Sequence, residues 1–286
     1  MLSDEQKTFY AENGYVLVPG LLTPLEAESY RQEVQDLMSR LSAIRNVDIG
    51  GWGSAKEISN GLQTSLLHCH DVQFQSAAFA RLIVDERLTA VAADIIGPNV
   101  QLHHTKSFVK PPEKGSPFPL HQDAPFFPHE NHSMIAVILH FDDAPLEKGC
   151  VRVVPGSHKQ GILPHIPTGS YHLDPATYPV ESAIPIEAKA GDALFFSYLT
   201  IHGSGINTSS EARTTILIQM RDPADPPTIR THESRGQGMM LRGIDPSCAT
   251  TKPLSEAKTD VPAMGAMESK EERQGAMMGG SMMGGR

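Results

Sequence analysis

The sequence predicts a mainly β protein, an antiparallel double-sheet jelly roll carrying an N-terminal helical layer. Three observations predict it. Helix start and stop signals dominate the first hundred residues. From Val100 onward short strand-like runs follow one another: VQLHHTKSFV, SMIAVILHFDDA, CVRVVPG, DALFFSYLTI and ARTTILIQM. Pro, Gly, Asn and Asp lie between those runs, where chain reversals need them.

Ser3-Asp4-Glu5-Gln6 reads as a capping box, opening a short helix that ends before Gly14. GYVLVPG, Gly14 to Gly20, reads as a strand. Thr23-Pro24-Leu25-Glu26 combines an N-cap, a proline at the first helical position and a reciprocal Glu, and starts a helix running to about Leu41. Arg45 to Thr64 is rich in Gly, Asn and Ser and holds the single tryptophan, Trp52. A loop of that length is usually a lid or a binding loop. A second helix is expected from about Gln75 to Ile96, stopped by Gly97-Pro98. After the strands the pattern decays near Ser247. Residues 1–247 therefore read as a single domain and Lys252 to Arg286, ending GAMMGGSMMGGR, as a disordered Met/Gly-rich tail. Its thioethers suit copper(I), but composition favours an unstructured segment over a metal site.

Composition narrows the function. Hydrophobic residues are 40% and charged residues 20% of the 286, as in an ordinary globular domain. The net charge of −9 offers no concentrated basic face, so nucleic acid is not expected as a partner. Cys69, Cys150 and Cys248 are odd in number and form no CxxC pair, which argues against a disulfide framework and a zinc–thiolate site. Reduced thiols and an N-terminus without an apolar signal region point to a cytoplasmic protein. The longest apolar runs, such as Met134 to Leu139, are too short to span a bilayer, so no membrane partner is expected.

The chemistry is concentrated in three places. His121-Gln122-Asp123 puts an imidazole and a carboxylate two residues apart, hence on one face of a strand. His202, 202 − 123 = 79 residues after the Asp and directly behind DALFFSYLT, supplies a third ligand. Two imidazoles and one carboxylate on one side of a metal leave the opposite positions open for a co-substrate and O₂, the arrangement of iron(II) oxygenases. With 13 histidines in the chain an HxD alone is weak. Its companion is Arg213, eleven residues past His202, whose guanidinium fork suits the distal carboxylate of 2-oxoglutarate. Thr215, on the same strand face, adds a hydroxyl. The other histidines read blandly. His158 follows a turn, and His103 and His104 are adjacent, so at most one of them faces the barrel interior. Phe126 and Phe127 suit a substrate pocket and the core equally.

In these phrases the chain resembles the phytanoyl-CoA dioxygenase family. The matching segments are GPN (97–99), FVKPP (108–112), PLHQD (119–123), VVPGSHK (153–159), GDALFF (191–196) and HGSGIN (202–207), ending in Arg213 and covering roughly residues 5 to 225. The resemblance implies a double-stranded β-helix, a cupin-like jelly roll. It implies a dioxygenase that couples oxidative decarboxylation of 2-oxoglutarate to oxidation of a small molecule, releasing succinate and CO₂. It places Fe(2+) on His121, Asp123 and His202, with 2-oxoglutarate on Arg213, O₂ as second co-substrate and ascorbate as a stimulant. It also suggests co-substrate contacts from Lys106 and from His68, which stands where mammalian members carry lysine, and puts Leu139 where they carry a tryptophan.

Halogenases on such a fold lack the carboxylate ligand, so Asp123 favours hydroxylation or desaturation. Two rivals remain, a cupin-type metal enzyme without 2-oxoglutarate and a non-catalytic metal-binding protein. The first leaves Arg213 unexplained, and the intact triad with Arg213 argues against the second, since a decayed site loses at least one member. Substrate choice is expected on the loops Arg45 to Thr64 and Gly161 to Ala183.

Overall fold

A computed structural model describes residues 1–43, 48–49, 65–167, 171–229, 231 and 233–246. Helix α1 (Asp4–Asn13) opens with the expected capping box, Ser3 and Gln6 satisfying each other's backbone, and closes at Gly14 in the left-handed region. Strand β1 (Tyr15–Val18) follows. Thr23 and Glu26 form the second box, which starts α2 (Pro24–Ala43). Most of the long loop lies outside the described residues, although β2 (Asp48–Ile49) belongs to it. Strand β3 (Leu67–His70) is not announced by the sequence.

The expected single helix is two, α3 (Ala77–Leu82) and α4 (Glu86–Ile96). Asp85 breaks the run because its carboxylate caps α4 by accepting from the Arg87 backbone at 2.8 Å. An aspartate there satisfies a helix start better than a helix middle.

The strands beyond are β4 (Val100–Lys110), β5 (Phe118–His121), β6 (Ile135–His140), β7 (Val151–Val153), β8 (Ile184–Ile186), β9 (Ala193–Ser197), β10 (His202–Ser204), β11 (Arg213–Arg221) and β12 (Met240–Arg242). They make two sheets. The long one runs β1-β9-β6-β11-β4-β3-β2, with β12 also on β4, and the short one runs β5-β10-β7-β8. All named pairings are antiparallel. This is the expected jelly roll, and Met1–Ala249 forms one unit. The Met/Gly-rich segment 252–286 lies outside the described residues.

Period-two alternation divides the long sheet. On β11, Ile216, Ile218 and Met220 join Val34, Leu37 and Met38 of α2 and Leu88, Val91 and Ala92 of α4 in the main core. The opposite face carries Arg213, Thr215 and Leu217 toward the short sheet, where they border a cavity. The helices therefore bury one face of the sheet and leave the other for chemistry. Leu139, fully buried in the helix-side core, faces away from that cavity, and its neighbour Ile138 borders it instead. No helix among the described residues is long and apolar enough to cross a membrane.

Candidate metal centre

His121 ends β5 and His202 begins β10, and the two are register partners. Adjacent antiparallel strands thus bring together two side chains that the sequence separates by 81 positions. The crossing is tight, since a Cβ at Gly203 would stand 2.6 Å from the Phe118 carbonyl oxygen. Asp123 reaches the same point by another route than strand alternation. It lies past the end of β5, where a short 3₁₀ turn begins, its amide held by the Tyr198 carbonyl at 2.9 Å.

The ligand-type atoms of His121, Asp123 and His202 all lie within 4.8 Å of one another, and all three residues are buried. Each imidazole uses Nδ1 to donate to the carbonyl two residues earlier, Pro119 at 2.8 Å for His121 and Thr200 at 3.0 Å for His202. That bond fixes the tautomer and leaves the Nε2 lone pair inward. Both Nε2 atoms stand 3.7 Å from Asp123 Oδ1. Burial lowers the His121 imidazole to about 3 and the His202 imidazole to about 4, so both are neutral donors at neutral pH. Burial pushes the Asp123 carboxyl up to about 6, a cost that a divalent cation beside it reverses. Two neutral imidazoles and a carboxylate converging on one point fit a divalent transition metal.

Three residues that the sequence reading passed over hold this arrangement. Gln219 donates from Nε2 to Asp123 Oδ2 at 2.6 Å, fixing the carboxylate from the long sheet. Its signal was available, because counting by twos from Arg213 through Thr215 and Leu217 reaches it. The Gln122 side chain donates to the carbonyls of Gly161 and Leu199, at 2.8 and 2.7 Å. His165 Nε2 accepts from the Gln122 amide at 2.9 Å. Loop contacts of that kind leave no periodic trace.

Arg213 stands at the head of β11, 4% exposed, and Thr215 beside it is 2% exposed. Both border the cavity that His121, Asp123 and His202 border. The guanidinium Nη1 donates to the Gly149 carbonyl, while Nε is buried without a hydrogen-bond partner. Burial lowers this group to about 10, which leaves it protonated. Lys106 and His68 are not among the residues bordering the cavity. Both approach Phe108, which is: Lys106 Nζ lies 5.0 Å from the ring centroid, and the His68 ring lies 6.4 Å from it.

A β-bulge falls at His103 and His104, neither of which borders the cavity. The β11–β4 register pairs Gln219 with His104 and Met220 with Leu102, skipping His103. A bulge lets neighbouring side chains share a side. Both imidazoles pack on Phe127, with centroids at 4.8 and 5.6 Å. Phe127 itself belongs to a core cluster with Met134 and Tyr198, whereas Phe126 stands between His121 and Tyr171 at 6.3 and 5.1 Å.

A profile of the phytanoyl-CoA dioxygenase family matches residues 10–215. The chain belongs to the phytanoyl-CoA dioxygenase family. The bovine peroxisomal phytanoyl-CoA dioxygenase is 28% identical over 241 residues, covering 78% of this chain and 69% of that protein. A probable alpha-ketoglutarate-dependent hypophosphite dioxygenase of Stutzerimonas stutzeri is 28% identical over 231 residues, covering 75% of this chain and 77% of that protein. Among solved structures, the epimerase SnoN in complex with Fe3+, alpha ketoglutarate and nogalamycin RO shares the fold, with a TM-score of 0.63 and 24% identity, covering 84% of this chain and 98% of that one. This member of the family is an iron- and 2-oxoglutarate-dependent dioxygenase.

Proposed function

We propose that His121, Asp123 and His202 hold iron(II), and that Arg213 with Thr215 receives the distal carboxylate of 2-oxoglutarate, in an enzyme that hydroxylates or desaturates a small organic molecule. The observation that carries this reading is one cavity bordered by the three ligand-type residues and by a buried arginine. A metal-only barrel has no use for that guanidinium.

Iron(II), when bound, supplies activation of O₂ with decarboxylation of 2-oxoglutarate and oxidation of a substrate C–H bond. The protein's own work is orientation and exclusion. The backbone carbonyls of Pro119 and Thr200 keep both Nε2 atoms aimed at one point. Gln219 occupies Asp123 Oδ2, leaving Oδ1 toward the imidazoles. Phe108, Phe118 and Phe196 line the cavity and keep it poor in water. Lys106 and His68 offer further contacts from beyond Phe108. The segment after Gly161 reaches the turn beyond the ligand strand through His165 on Gln122 and Tyr171 on Phe126, which suits it to shape the substrate side. We place the enzyme in a reducing, cytoplasmic-type compartment, in keeping with the free buried thiols of Cys69 and Cys150.

Arg213 is the test. Arg213→Ala removes a bidentate, charge-assisted contact, each such hydrogen bond being worth about 1.5–3 kcal/mol. The apparent KM for 2-oxoglutarate is expected to rise roughly ten- to a hundredfold, at about 1.4 kcal/mol per decade. Arg213→Lys should fall between, and iron content should stay at the wild-type level in both. An unchanged 2-oxoglutarate titration in Arg213→Ala removes Arg213 from the co-substrate site.

A further inference from the structure

Arg213 is not the single cation at its end of the cavity. Lys110, its register partner across β4 and β11, is 0% exposed. Its ammonium donates to Ser204 Oγ at 2.7 Å and to the Gly205 carbonyl at 2.7 Å. Both acceptors are neutral, and among the described residues no carboxylate forms an ion pair with Lys110 or with Arg213. Burial, and after it the charge of Arg213, holds the lysine well below its ordinary range. Two like charges buried side by side are costly without a counter-ion. Something anionic entering the cavity removes that cost. Arg213 is matched to one carboxylate by its own fork, and Lys110 is the group left unexplained.

The hydroxyl that Lys110 holds links it to the cavity. Ser204 borders the cavity with Arg213, whereas Lys110 stands behind it. Because Ser204 Oγ accepts from Lys110 Nζ, its own proton must point away from the ammonium. An ammonium behind a hydroxyl polarises it and strengthens it as a donor.

We propose that Lys110 is a positioning residue which, through Ser204, makes this end of the cavity select a dianionic 2-oxo acid over one that lacks the distal carboxylate. The proposal rests on the reading that the distal carboxylate of 2-oxoglutarate lies at Arg213. The competing role for Lys110 is a plain tie between the long sheet and β10. A tie would support every 2-oxo acid alike, and a selectivity device would not.

The experiment is anaerobic calorimetric titration of the iron(II)-loaded full chain with 2-oxoglutarate and with 2-oxopentanoate, which carries a methyl group in place of the far carboxylate. In Lys110→Met the preference for 2-oxoglutarate should fall by about ten- to a hundredfold while 2-oxopentanoate binding changes by less than about twofold. Ser204→Ala should lose most of the same preference, and adding Lys110→Met to it should cost little more, because the two act in series. Equal weakening of both acids, an unchanged ratio, or full additivity of the two substitutions would overturn the proposal. If Lys110→Met does not fold, Lys110→Gln and Ser204→Ala carry the test, and an unchanged ratio in Ser204→Ala overturns it by itself. Arg213→Ala separates the levels. A ratio unmoved there overturns the underlying reading, whereas a ratio lost there but kept in Lys110→Met and Ser204→Ala overturns the Lys110 assignment alone.

Discussion

His121 and His202 are held neutral by burial, and each donates from one ring nitrogen to a backbone carbonyl, which turns the other toward Asp123. Replacing His121, Asp123 or His202 by alanine should therefore abolish metal-dependent succinate formation and leave the fold standing, since the long sheet is held by a separate apolar core. Iron content by absorption spectroscopy, read beside the melting curve, checks this. Near-normal succinate production in any of the three variants would remove that residue from the ligand set. The residue types at these positions were legible because the proposed iron chemistry demands them. Gln219 could have been reached by counting along β11, but Gln122 and His165 could not, because a hydrogen bond from a loop asks only for a donor or acceptor at the right point in space.

At the scale of elements, β5 and β10 meet so closely that the residue after His202 has no room for a side chain. Gly203→Ala would place a methyl group 2.6 Å from the Phe118 carbonyl oxygen and drive the two strands apart. The expected outcome is a loss of iron affinity of about tenfold or more, because a shift of even half an ångström breaks ligand geometry. A metal titration of the purified variant measures it, and wild-type affinity would show that the crossing yields without moving His202. Elements with strong local signals were legible: both capping boxes, the stop at Gly14 and the branched run of β11 stand where the sequence puts them. Two kinds of feature were not. The break at Asp85 depends on a cap competing with helix continuation, and β3, reading LHCH, has no strand-like pattern until β4 lies beside it. The bulge that turns His103 and His104 to one side is likewise a property of two strands, not of one.

Across the whole molecule, the division of labour between the sheets has a mechanical consequence. In the proposed site, iron would be held through His121 and His202, which lie on the short sheet, while Arg213 belongs to the long one. In the protein as described, Gln219 to Asp123 and Lys110 to Ser204 are among the polar links that cross between them. A chelated dicarboxylate held at one end by the metal and at the other by the guanidinium is then a strut spanning the barrel, loaded in tension whenever the sheets breathe. Local opening of β10 and of β11 should become one event instead of two. Amide hydrogen exchange gives the signature: iron alone slows exchange in β5 and β10, and iron with 2-oxoglutarate slows β11 as well, to a similar degree. Slowing confined to the short sheet under both conditions would mean that the co-substrate does not bridge. Conversion to succinate would remove the C1 arm of the chelate and keep the span from C2 to the far carboxylate, so the strut would go from a two-point to a one-point grip on the metal and slacken at the moment the product must leave.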